Sequence, residues 1–223
     1  MKISDRLKAI SEYIDEEDKL IDVGCDHALT DIYLCEQYPN LHVIASDIHE
    51  GALKNATNNI KKYKMDKRIS LRLGDGLTIV NADEIDTILI SGMGYHTIKD
   101  ILSNETKMTN IKKIIIQSNT DIVKLRKFVI KLGFKITREK LVKDNDIIYT
   151  VIEFKKGSEK YSYEEIYFGP RILDNKDDLF YEYYSKKLLK YENLLLQLPK
   201  YEIKSKMHHK KLIKIIREAL TTK

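Results

Sequence analysis

Cysteine, proline and long apolar runs are all scarce in this chain, and each scarcity closes off a class of protein. The two cysteines, Cys25 and Cys35, form no CxxC pair and have no second pair to join. Neither a disulfide framework nor a cysteine-based zinc or redox motif is written here, and a reducing compartment is expected. Three prolines and nine glycines among 223 residues argue against collagen-like or low-complexity structure and predict mostly regular elements. No apolar run reaches the roughly 18 to 20 residues that span a bilayer. The amino terminus MKISDRLKAISEYI is charged and amphipathic, without the core of a signal peptide. A cytoplasmic protein with no membrane contact and no bound metal is therefore expected.

What is present is ample material for a core. Apolar residues make up 43% of the chain and charged residues 33%, with 39 Lys and Arg against 34 Asp and Glu, a net charge of +5. That balance belongs to a globular chain with one full domain plus an appendage. The basic excess is local: residues 171–223 carry 13 basic and 7 acidic groups, which leaves 26 basic and 27 acidic groups in residues 1–170. A near-neutral body with a basic tail is expected where one part does chemistry and another attracts a polyanion, although an ordinary solvated helix face has the same composition.

Hydrophobic spacing predicts a helix over 4–14, with Leu7, Ile10 and Ile14 on one face behind Ser4 and Asp5. Strands then alternate with helices. Strands are read at 19–26, 41–48, 69–76, 86–93 and 112–119, and helices at 27–38, 50–63, 77–83, 96–104 and 121–133, the last closed by Gly133. These strands are dense in Ile, Val and Leu without strict alternation, as strands covered on both faces must be, so an α/β fold with a parallel, doubly wound sheet follows. After Gly133, FKITREKLVKD and DIIYTVIEFKK are extended runs joined at Asp144, Asn145 and Asp146, which reads as a hairpin. A parallel sheet ending in an antiparallel hairpin is the layout of a Rossmann-like class I methyltransferase, whereas dinucleotide-binding domains continue with parallel strands.

Residues 155–158 read as a linker between a domain at 1–156 and one at 157–223. In the second, Tyr181, Tyr184, Leu188, Tyr191, Leu195 and Leu198 repeat at alternating spacings of three and four until Pro199, and Ile213, Ile216 and Leu220 resume the pattern. An antiparallel, coiled-coil-like α-helical pair is predicted, or helices that pack back on the α/β body.

Candidate functional residues lie at the carboxyl ends of the predicted strands, where open parallel sheets bind their ligands. The first strand runs into Asp22, Val23, Gly24, Cys25, Asp26, His27 and Ala28. Gly24 permits close backbone approach, but GxGxxG is absent: Asp26 stands where a second glycine would admit a pyrophosphate. A carboxylate there repels phosphate and attracts the ammonium or sulfonium of S-adenosylmethionine, though aspartates in such a turn also cap the next helix. His27 beside Asp26 is a candidate for orienting a base or moving a proton, or a plain structural hydrogen-bonder. Asp47, followed by Ile48, has the chemistry to accept both ribose hydroxyls of an adenosine cofactor. Asp75 and Gly76 end the third strand, either to read an adenine edge or as a tight turn.

The fourth strand ends in Ser91, Gly92, Met93, Gly94 and Tyr95. It lacks the [DNS]PP[YFW] motif of amino-directed adenine methyltransferases; its glycines let a planar base approach with Met93 against it, or form a turn without ligand. Gln117, Ser118, Asn119 and Thr120 offer neutral donors and acceptors to a base edge, and Asn119 is equally a helix N-cap. Competing functions are a same-fold methyltransferase acting on another RNA, a protein or a small molecule, an inactive RNA-binding adaptor, and an NAD-dependent oxidoreductase, which the missing GxGxxG disfavours.

With DVGCDHA, GDGL, ISGMG, IIIQSN and FGP at 168–170 assembled, the chain resembles the TrmK family of bacterial tRNA adenine N1-methyltransferases, which modify adenine at position 22. The resemblance runs over nearly the whole chain, and DxGxDHA with GMG at this spacing carries it. It implies a class I methyltransferase domain that uses S-adenosylmethionine and a carboxyl-terminal helical domain, both holding tRNA; a monomer is expected. Together with the residue reading, it puts Asp26 and His27 in the catalytic role. Asp22, Gly24, Cys25, Asp26, Asp47, Ile48, Asp75, Gly76, Ser91, Gly92 and Met93 are assigned to the cofactor. Arg6, Gly94, Tyr95 and Asn119, with Lys210, Lys211 and Lys214, are assigned to the RNA. The tail lysines, among them Lys200, alternate with tyrosines in a way suited to a phosphate backbone. The family pattern has Tyr-Leu-Pro where this chain has Leu29, Thr30 and Asp31, often a second Gly where Tyr95 stands, and Pro at Ser118. Tyr95 is then the ring left to stack on a target base.

Overall fold

A computed structural model describes residues 1, 3–199 and 201–222; Lys200 lies outside them. The chain divides into two compact units, Met1–Lys160 and Tyr161–Lys223. Lys155 and Lys156, read from sequence as the start of a linker, are instead the end of a strand paired with Lys135 and Phe134. Gly157 continues that pairing by donating its N–H to the Gly133 carbonyl at 3.0 Å.

The first unit is built on a seven-stranded sheet. Its strands are β1 (Leu20–Val23), β2 (Val43–Asp47), β3 (Ile69–Leu73), β4 (Thr87–Met93), β5 (Lys113–Ser118), β6 (Phe134–Asp144) and β7 (Ile147–Lys156), in the order β3-β2-β1-β4-β5-β7-β6. The first five run parallel, and β7 inserts antiparallel between β5 and β6. Helices α1 (Asp5–Ser11), α2 (Leu29–Gln37), α3 (Glu50–Lys62), α4 (Tyr95–Leu102) and α5 (Ile122–Lys131) complete the unit. Every residue of β1 and β5 is buried, which is why those strands lack alternation in sequence. The Arg126–Glu139 ion pair, 2.6 Å long and fully buried, ties α5 to β6.

The helix read at 77–83 is a four-residue 3₁₀ turn, Gly76–Ile79. Thr78, Ile79 and Val80 are three β-branched residues in a row, which disfavours a longer helix, and Val80 is already extended.

The second unit holds α6 (Tyr163–Phe168), α7 (Pro170–Asp174), α8 (Asp178–Gln197) and α9 (Ile203–Thr221). The short α6 and α7 fall below the length at which periodicity registers, although Ser162 and Glu165 form a capping box that marks the start of α6. Tyr191 of α8 and His209 of α9 meet edge to face near the turn, Leu195 and Ile213 line the groove between the two helices, and Tyr184 packs on Phe168 of α6. At the other end Lys176 donates to the Ala219 and Thr222 carbonyls, so the pair is antiparallel. Phe168, Phe180 and Tyr184 form an aromatic core with ring centroids 4.8 to 5.9 Å apart. Among the described residues no helix is long and apolar enough to cross a membrane.

Candidate active site

Strand order reverses between β1 and β4, and their carboxyl ends open a cavity of about 510 Å³, within the size range of small-molecule sites. Asp22, Gly24, Cys25, Asp26 and His27 contribute from the end of β1, Asp47 and Ile48 from β2, Asp75 and Gly76 after β3, and Ser91, Gly92 and Met93 from β4. Arg6 closes one side. A more open depression of about 710 Å³ lies by Lys19, His42 and Arg68 at the amino ends of β1 to β3 and contains none of these groups.

The loop after β1 is shaped by backbone geometry that few residues accept. Gly24 sits at φ +82°, and Asp26 and Ala28 are also left-handed at +48° and +53°. A Cβ on Gly24 would lie 2.2 Å from Met93 Cε, so glycine keeps the loop and the β4 tip in close approach. The loop is pinned to β2: Gly24 and Cys25 donate to the Ser46 carbonyl at 2.8 and 2.9 Å. The Asp26 N–H reaches Asp47 Oδ2 at 3.3 Å, while Asp47 Oδ1 accepts the His49 N–H at 2.9 Å. The His27 carbonyl accepts from Asn59 at 3.0 Å, and its ring Nε2 lies 3.4 Å from Asp26 Oδ2.

Burial governs the titration of the loop. Asp22 and Asp31 are both held above the ordinary carboxylate range, chiefly by desolvation, and Asp31 also by the charge of Asp22. Desolvation also pushes the Cys25 thiol far up, so it stays a neutral wall of the cavity rather than a nucleophile.

The β4 and β5 tips are joined by side-chain amides. Gln117, fully buried, accepts at Oε1 from Arg6 Nη1 (2.6 Å) and from the Gly92 N–H (3.1 Å). Its Nε2 donates to Asn119 Oδ1 at 3.0 Å, and Asn119 Nδ2 donates to the Gly92 carbonyl at 2.7 Å. Asn119 is therefore not a helix cap; Asp121 holds the N-cap position of α5 without a side-chain bond. The Arg6 guanidinium also lies over the Tyr149 ring, 5.4 Å from its centroid.

Gly94 is the N-cap of α4, and the Tyr95 N–H donates to Thr120 Oγ1 at 3.0 Å. The Tyr95 ring packs on His96 and Phe128 with Lys124 above it, outside the cavity wall, whereas Leu29 is on that wall. Thr120, read from sequence as a base-edge donor or acceptor, is instead occupied by the Tyr95 N–H, and Tyr149 of β7 escaped the sequence reading because its contact with Arg6 exists only in the folded chain.

The TrmK model, described as tRNA (adenine(22)-N(1))-methyltransferase, matches residues 20–219. This chain belongs to the TrmK family. Among TrmK relatives, the tRNA (adenine(22)-N(1))-methyltransferase of Bacillus subtilis (strain 168) is 27% identical over 205 residues, covering 89% of this chain and 86% of that one. The crystal structure of Streptococcus pneumoniae Sp1610 in complex with S-adenosyl-L-methionine is 27% identical with a TM-score of 0.89, covering 98% of this chain and 100% of that one. M. capricolum TrmK in complex with S-adenosyl-homocysteine is 29% identical with a TM-score of 0.87, covering 99% and 98% of the two chains.

In this TrmK chain the basic candidates of the second unit lie on α9. Lys210 and Lys214 line a groove of about 700 Å³ between α8 and α9 together with Glu192 and Arg217. Lys211 instead places Nζ 3.6 Å from the centre of the Tyr163 ring, a cation–π contact within the same unit. Among the described residues no group of three His, Cys, Asp or Glu side chains is placed to hold a metal.

Proposed function

We infer that this chain transfers the methyl group of S-adenosylmethionine to N1 of adenine 22 in tRNA. One observation carries the reading beyond family membership: the crevice at the strand switch point is walled by carboxylates, with Asp26 where a dinucleotide fold needs a glycine. The cavity suits the cofactor in volume, and its donor set suits a ligand that carries two cations and a ribose. S-adenosylmethionine supplies an electrophilic methyl group on a sulfonium centre.

The residues of the chain do the placing. Gly24 leaves room for close approach, Asp22 and Asp26 favour the cationic end, Asp47 accepts ribose hydroxyls, and Asp75 and Gly76 read the adenine edge. Adenine N1 is unprotonated at neutral pH and already nucleophilic, so orientation supplies most of the rate; holding reacting atoms about 3 to 3.5 Å apart makes the displacement effectively intramolecular. Arg6, Gln117 and Asn119 fix the β4 tip against which the base is held. Asp26 stabilises the positive charge that develops on the methylated ring, and His27 orients the base or carries the N6 proton. N1 lies on the Watson–Crick edge, so the target adenine must be unpaired or flipped out.

Lys210 and Lys214 meet the tRNA backbone, and the chain acts as a monomer in the cytoplasm without a metal. The test is incubation of the full chain with labelled S-adenosylmethionine and tRNA, followed by mass spectrometry of the nucleosides. Labelled 1-methyladenine is expected; label in another nucleoside, or none, overturns the assignment.

A further inference from the structure

Asp31 takes no part in the methyl transfer as derived, yet its carboxyl is sealed away from solvent beside the crevice. It is 0% exposed, and neither carboxyl oxygen has a hydrogen-bond partner among the described residues. A buried polar group left without a partner is expensive, and a native chain keeps one for a reason.

Its neighbour is Asp22, itself 4% exposed, which lines the crevice. The two carboxyls are near enough to act on each other as donor and acceptor once one of them carries a proton. Among the described residues the groups that act on the pair are acidic or neutral: Asp47 acts on Asp22, and the thiols of Cys25 and Cys35 lie beside Asp31. Two close carboxyls in such surroundings do not both ionise. A proton on Asp31 supplies the partner that Asp22 needs when ionised.

We propose that Asp31 is a positioning residue for the cofactor: protonated, it donates a hydrogen bond to Asp22 and leaves the Asp22 carboxylate as the single negative charge at the crevice floor, facing the cofactor ammonium. The inference rests on the S-adenosylmethionine reading. Cofactor entry draws Asp22 into its ionised form, with its proton passing to water, while Asp31 keeps its own. Without the Asp31 donor, Asp22 ionises less readily and the cofactor meets a neutral floor. Asparagine, which donates but never ionises, replaces Asp31 in this role.

Calorimetric titration of the full chain with S-adenosylmethionine, from about pH 5.5 to 7.5, tests this on the wild type, Asp31→Ala and Asp31→Asn. Wild-type affinity should rise with pH and level off. Asp31→Ala should bind about tenfold more weakly near neutrality, with its curve displaced to higher pH, and Asp31→Asn should stay within about threefold of wild type on an undisplaced curve. The three proteins differ only at residue 31, so a displacement of the curve reports on that residue. Should the alanine chain fail to fold, Asp31→Val takes its place. Absence of wild-type binding overturns the cofactor reading. If wild type binds, an Ala or Val curve that coincides with it, or an Asn variant as weak as they are, overturns the role of Asp31 alone.

Discussion

The guanidinium of Arg6 donates to the side-chain carbonyl of Gln117 at 2.6 Å, tying the amino-terminal helix to the tip of β5, 111 residues away. The same oxygen accepts the Gly92 N–H, so one buried amide sets both the arginine and the backbone of the β4 tip. Replacing Gln117 by Ala strands two donors, at a cost of about 1–3 kcal/mol each. The tRNA methylation rate should fall about tenfold to a hundredfold, while the S-adenosylmethionine Kd moves by less than about threefold. Single-turnover methylation set beside calorimetry checks this; a parallel loss of cofactor affinity would place Gln117 in the cofactor site instead.

Gly24→Ala should act on the cofactor rather than on the RNA. A left-handed backbone costs a non-glycine residue about 1–2 kcal/mol, and the new methyl would displace Met93, whose Cε is 2.2 Å away. Cofactor affinity is expected to fall about tenfold. Adding Met93→Ala removes the clash and leaves the backbone strain, so recovery should be partial; full recovery in the double variant would show that strain at residue 24 is negligible.

The carboxyl pair has a cost in stability with a definite sign. Desolvation raises the folded-state proton affinity of both Asp22 and Asp31 above that of the unfolded chain. Their contribution to stability is therefore greatest below the ordinary carboxylate range and is lost as pH rises toward neutrality and beyond. Asp31→Asn removes one titrating group. Its thermal unfolding temperature should exceed that of wild type near neutral pH, and the advantage should shrink as pH drops toward about 4. A constant offset across that range would mean that the Asp31 carboxyl has an ordinary pKa.

Charge on α9 should govern tRNA affinity without touching the cofactor. Lys210→Glu combined with Lys214→Glu is expected to weaken tRNA binding and to flatten its salt dependence by about 0.7 to 0.9 in log–log slope for each phosphate no longer neutralised. Lys211→Glu alone should do less to binding, because its ammonium already lies on the Tyr163 ring. Filter binding at several salt concentrations separates these outcomes; an unchanged slope in the double variant would remove α9 from the RNA interface.

Much of this was legible in the residues themselves. Runs such as TILI in β4 and IIIQ in β5 announce strands because both faces are buried, and a buried parallel strand has no solvent-facing side to impose a polar alternation. The acidic stations at Asp22, Asp47 and Asp75 were visible because strand ends can be counted along the chain, and an open parallel sheet gathers those ends at one edge. The 3₁₀ turn at Gly76–Ile79 and the brief helices α6 and α7 were not, since four to six residues carry too little periodicity to declare their own conformation.

Composition, spacing and the DxGxDHA and GMG motifs determined the fold class, the acidic crevice and the family, because these depend on local pattern and on strand ends read in order. Three-dimensional pairing alone decided that Asn119 holds Gly92 rather than capping a helix, that Tyr95 packs on Phe128 outside the cavity, and that Asp31 is sealed without a partner near Asp22. Hydrogen bonds and desolvation depend on which side chains meet across strands and helices, and residues distant in the chain meet only once the sheet is assembled.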